Sequence, residues 1–123
     1  MYLQARNTDR GTILGERVER AATWWSRFRG LLGRPELREG EGLLLEPCRA
    51  VHMIGMRYAI DVVFVDRDRR VVATYVGLAP GRTTRIHRRA VAAIELTTGT
   101  LARTGTVTGD LLAWSSLGGE ENA

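Results

Sequence analysis

The chain has 123 residues, 44% hydrophobic and 26% charged: an ordinary globular composition and a length that fits one compact domain, able to bury roughly two thirds of its unfolded surface without staples. A single cysteine excludes an internal disulfide framework and a multi-cysteine zinc site. The net charge of +4 rests on 18 arginines and no lysine, spread along the chain among acids as in "RGTILGERVER", whereas a nucleic-acid footprint clusters on one face. No apolar run approaches the roughly 18 residues that span a bilayer. The opening "MYLQARNTDRG" lacks the apolar stretch of a signal peptide, so a cytoplasmic protein with no membrane partner is expected.

Residues 1–11 and 115–123 are expected to fray, with one β-rich domain over the chain. "TILGERVER" (12–20) reads as a polar edge strand. In "AATWWSRFRGLLGRP" the apolar residues Trp24, Trp25, Phe28, Leu31 and Leu32 fall on one face of a helix over about 22–32. Thr23 can cap its start, and Gly33 with Pro35 can end it. Its aromatic face is expected to plug the core.

Extended segments follow. "GLLLE" (42–46) is a short apolar strand. "AVHMIGM" (50–56) is apolar on both parities. "AIDVVFVD" (59–66) is the strongest strand and forms a hairpin with "RVVATYV" (70–76). "GLAPGRTTR" is a loop, "AVAAIEL" (90–96) is another strand, "TLARTG" allows one helical turn ending at Gly105, and "DLLAW" (110–114) closes the chain. Strands in succession after one early helix predict a mainly β fold: an antiparallel sandwich or barrel with an N-terminal amphipathic helix packed on it.

The stretches "RFRGLLGRPELREGEGLLLEP", "CRAVHMIGMRYAIDVVFVDRDRRVV" and "IELTTGTLARTGTVTGDLL" resemble the uncharacterised family known as domain of unknown function 192. They fall within residues 27–112. The resemblance implies a β-sandwich related to jelly rolls and no settled activity. Some relatives carry export signals or sit near secretion components, a context that the opening residues of this chain do not share. Two departures stand out. The family's proline before Ile-Asp is Ala59 here, and its hairpin glycine is replaced by "DRDRR", which calls for a different or longer turn.

Three chemistries compete for residues 48–61. Cys48 and His52 are spaced for shared metal ligation on a helix, but on a strand four residues span about 13 Å, so no metal or cofactor is expected. Cys48, His52 and Asp61 could form a nucleophile, base and orienter, yet a lone cysteine is more often a small buried apolar residue. Asp61 precedes "VVFV", so its carboxylate is expected to be buried and held by donors, either backbone N–H groups or an arginine such as Arg49 or Arg57. It would act as a structural lock or the floor of a pocket. Asp110 reads as a turn residue accepting from its own backbone.

The expected function is non-catalytic binding of a small molecule, sugar or peptide by Cys48, Arg49, His52, Met56, Arg57 and Asp61. The alternatives are a cysteine enzyme and weak nucleic-acid binding through Arg82, Arg85, Arg88 and Arg89. The sequence leaves the oligomeric state open.

Overall fold

The computed structural model describes residues 1–21, 31 and 33–117. The strands are β1 (Tyr2–Asn7), β2 (Thr12–Ala21), β3 (Glu41–Leu45), β4 (Ile60–Val65), β5 (Val71–Leu78), β6 (Ala92–Leu96) and β7 (Leu112–Ser116), with helix α1 (Thr100–Thr104) between β6 and β7. All seven form one sheet in the order β5-β4-β6-β3-β2-β1-β7. The helix expected over 22–32 lies outside the described residues. Among those, the helix seen is α1, which ends on left-handed Gly105.

The mainly β class holds, and of the expected sandwich or barrel the fold takes the barrel-like form. The sheet is continuous, and its two edge strands meet at one end: Arg70 bridges Leu111, the Val71 N–H donates to Asp110 O at 2.9 Å, and the Leu112 N–H donates to Arg69 O at 2.9 Å. The result is a curled half-barrel. Strand pairing is antiparallel throughout except between β2 and β3, which run parallel. A parallel neighbour needs a long crossover, and residues 22–40 supply that length.

The N-terminal residues expected to fray instead form β1, which lies inside the sheet between β2 and β7. Leu3, Ala5 and Asn7 are buried there. At its end a polar knot joins the chain termini. The Asn7 amide donates to Asp110 at 2.9 Å, the Arg10 guanidinium pairs with the same carboxylate at 2.9 Å, and the Val107 N–H caps it. Arg10, then Asn7 and the Val107 N–H, hold the Asp110 carboxyl down at about 2.

Strand β4 is buried along its whole length, which is why it is apolar on both parities. Val63 and Val65 join an inner cluster that takes a side chain from every strand: Leu3, Leu14, Leu44, Val63, Val71, Ile94 and Leu112 among them. Ile60, Val62 and Phe64 face the other way, under Leu43, Leu45, Val51, Met53 and Ala90. The outer face is therefore roofed by the 48–58 and 79–91 segments.

Residues 50–56 are not the expected strand. Left-handed Gly55 and a turn closed by the Met56 N–H on Met53 O at 3.1 Å interrupt the segment, which touches β structure at a single bridge, His52 to Thr83. Its apolar character comes from Val51 and Met53, which are buried as part of the roof.

Candidate functional site

Glu95 sits in the middle of β6, opposite Leu43 of β3 and Val62 of β4. Both partners belong to the outer cluster, as does Ala93 two residues earlier. Residues two apart on a strand share a face, so the Glu95 side chain enters the outer face. It is 5% exposed, and among the described residues its Oε1 has no hydrogen-bond partner. Burial raises its carboxyl from the ordinary 4.5 to about 7, with Arg34 opposing the rise.

A cleft of about 620 Å³ lies on this face, walled on one side by Leu31, Gly33, Arg34, Pro35 and Glu36 and on the other by Gly55, Met56, Arg57 and Tyr58. The Tyr58 hydroxyl donates to Pro35 O at 3.1 Å and ties the walls together. Arg34 spends its guanidinium on Glu19, at 2.8 and 3.4 Å. That bond holds the Glu19 carboxyl below its usual range. The Glu95 charge is felt at Tyr58, whose phenol is pushed up by burial and then by Glu95 and Glu36. Arg34 and Tyr58, one from each wall, are thus within electrostatic reach of Glu95, which is buried in the same outer face and is not itself a lining residue of the cleft.

The expected site residues divide. Met56 and Arg57 line the cleft. Asp61 does not: it is fully buried, and its two oxygens accept the Gly77 N–H at 2.9 Å and the Leu101 N–H at 2.9 Å, on the inner face. Its donors are therefore backbone groups of β5 and α1, and neither Arg49 nor Arg57 bonds to it. The Cys48 thiol donates to Ala50 O at 3.2 Å and packs against the outer cluster. His52 is exposed in the roof, as is Arg49, whose carbonyl accepts the His87 N–H. No hydrogen bond links Cys48, His52 and Asp61 among the described residues, and the sheet separates the Asp61 carboxylate from Cys48. No three His, Cys, Asp or Glu side chains among the described residues converge to hold a metal. No described helix is long and apolar enough to cross a membrane.

Two groups escaped the reading of the sequence. Glu95 stands in "AVAAIEL", an acid within an apolar run, the same signal that singled out Asp61. His87 pairs with the Tyr75 hydroxyl at 2.7 Å and lies 4.7 Å from the Phe64 ring. Burial, then Arg85, holds its imidazole below the ordinary range. Its neighbours in the roof, Arg85, Arg88 and Arg89, line a shallow depression with it.

Residues 5–114 match the family DUF192, described as "Uncharacterized ACR". The chain belongs to that family. A similar fold is found in a solved protein of unknown function from Novosphingobium aromaticivorans DSM 12444: identity is 26%, the match covers 93% of this chain and 84% of that one, and the TM-score is 0.78. A second structure, described as that of a proposed transcription regulator from Sinorhizobium meliloti 1021, is 21% identical over 92% of both chains with a TM-score of 0.75. That second likeness speaks to the fold alone. No curated protein matches the chain.

Proposed function

We propose that this DUF192 protein is a non-catalytic binding module whose ligand is a small molecule seated in the cleft between the 33–36 and 55–58 segments. The observation that carries the reading is the cleft itself, on the same outer face in which Glu95 is buried with its Oε1 unpartnered among the described residues. An unmatched buried acceptor costs roughly 1–3 kcal/mol, a cost that a folded domain retains at functional sites. The cleft volume falls within the range of small-molecule sites. Met56 and Tyr58 offer apolar and aromatic wall, and Arg57 and Glu36 offer polar rim. Against catalysis, Cys48, His52 and Asp61 lack the mutual hydrogen bonds of a nucleophile, base and orienter.

The test is mass spectrometry under native conditions on the protein purified from its host, followed by thermal shift with whatever small molecule is found. Binding should be lost in Met56→Trp, which fills the cleft, and be unchanged in Cys48→Ala. Substrate turnover abolished by Cys48→Ala would refute the reading in favour of a cysteine enzyme.

A further inference from the structure

We propose that the roof carries a second site, separate from the cleft: a seat for the phosphoryl dianion of a small organic phosphate, in the depression formed by Val72 and residues 85–89. The first argument is uncompensated charge. Arg85, Arg88 and Arg89 line this depression of about 360 Å³, and no Asp or Glu lines it. Arg10, Arg20, Arg34, Arg70 and Arg103 each pair with an acid. Among the described residues no acid pairs with Arg85, Arg88 or Arg89. Like charges around one hollow repel one another, and a dianion seated among them turns that repulsion into attraction. The planar fork of a guanidinium matches two phosphate oxygens at once.

The second argument is the backbone that carries them. The Ala90 N–H donates to His87 O at 3.0 Å and closes residues 87–90 into a turn. The N–H groups of Arg88 and Arg89, at its tip, donate to no acceptor among the described residues, so they add neutral donors to the charged ones. The turn is also held in place. The His87 N–H donates to Arg49 O at 2.9 Å, its imidazole meets the Tyr75 hydroxyl at 2.7 Å, and its ring lies 4.7 Å from that of Phe64. The same Tyr75 hydroxyl accepts the Arg85 N–H at 3.4 Å. A backbone fixed in advance lowers the ordering cost of binding.

The third argument is the apolar flank. Val72 and Ile86 line the depression beside the charges, and Ile86 is 68% exposed. That neighbourhood favours an ester with an apolar substituent over the bare ion. A nucleic-acid strand fits less well: it is gripped by a basic track with aromatic rings that stack on bases, and no Phe, Tyr or Trp lines this depression.

The experiment follows the backbone amides of the full chain by proton–nitrogen NMR at constant ionic strength, with phenyl phosphate, benzyl alcohol and a short DNA duplex as probes. Phenyl phosphate should shift the amides of residues 85–89 saturably, and benzyl alcohol should leave them in place. Arg88→Ala should weaken phenyl phosphate about fivefold, equivalent to about 1 kcal/mol for a solvated ion pair. Arg82 is exposed and outside the depression, so Arg82→Ala should leave the affinity unchanged. Equal weakening by Arg82→Ala would reduce the site to a diffuse positive field and overturn the proposal. So would equal shifts from benzyl alcohol, or no shift from phenyl phosphate. Amides moved by the duplex and not by phenyl phosphate would overturn it in favour of a nucleic-acid surface. The comparison of probes on the unmutated protein decides the matter even if a variant folds poorly.

Discussion

Asp61 and Glu95 are both acids in apolar strands, and the structure treats them in opposite ways. Asp61 has each oxygen bonded to a backbone N–H, from Gly77 and Leu101, so its burial is matched and it locks β4 to β5 and α1. Asp61→Ala strands both donors, at roughly 1–3 kcal/mol each. Asp61→Asn turns an NH₂ group towards one of them and should also destabilise. Urea midpoints check both, and an Asn variant as stable as the unmutated protein would refute the lock. Since Asp61 faces away from the cleft, the folded fraction of either variant should bind like the original. The need for donors around Asp61 was legible from its position in "AIDVVFV". Their identity was not, because Gly77 and Leu101 lie 16 and 40 residues away in the chain. Glu95 carried the same local signal. What distinguishes it is the missing partner, a fact of three-dimensional neighbours only.

The β4–β5 hairpin shows how an element absorbs an unfavourable residue. Its turn runs from Asp66 to Arg70. The Asp66 carboxylate accepts the Asp68 and Arg70 N–H groups at 2.9 and 3.0 Å, and Arg69 takes the left-handed conformation with φ 68°. That conformation costs a residue with a Cβ about 1 kcal/mol or more. Arg69 is compensated in part by its guanidinium, which lies 3.9 Å from the centre of the half-buried Trp114 ring, an attraction of roughly 0.5–1 kcal/mol. Arg69→Gly relieves the strain and loses the attraction, so its stability should stay close to that of the unmutated protein. Arg69→Ala keeps the strain and loses the attraction, a cost of about 0.5–1 kcal/mol. Thermal unfolding of the pair measures the order, and an alanine variant more stable than the glycine variant would contradict this account of the turn. Strands with a clear period or a β-branched run (12–21, 41–45, 60–65 and 71–78) were legible nearly to their ends. The 50–56 segment was not, because a roof loop that buries Val51 and Met53 shows the same apolar pattern as a strand.

At the scale of the whole molecule the sheet order depends on pairings that no local pattern carries. The parallel β2–β3 pair and the insertion of β1 between β2 and β7 turn a succession of strands into one curled sheet instead of a sandwich. That same order sets Glu95 between Leu43 and Val62, which buries it on the outer face. Gly42 allows the close approach, since a Cβ there would stand 2.8 Å from the Glu95 carbonyl oxygen. The fold bears a cost for this arrangement. A carboxyl at about 7 in the folded chain and 4.5 in the unfolded one favours the protonated native state. Its contribution to stability is therefore greatest below about pH 4.5, declines as pH rises to about 7 and is level above, a difference of roughly 3 kcal/mol for a shift of this size. The most direct test of a buried carboxyl with an unpartnered oxygen is the pH titration of the Glu95 side-chain carboxyl by carbon-13 NMR in the ligand-free protein. The structure predicts a midpoint near 7, and a midpoint at or below the ordinary 4.5 would contradict it.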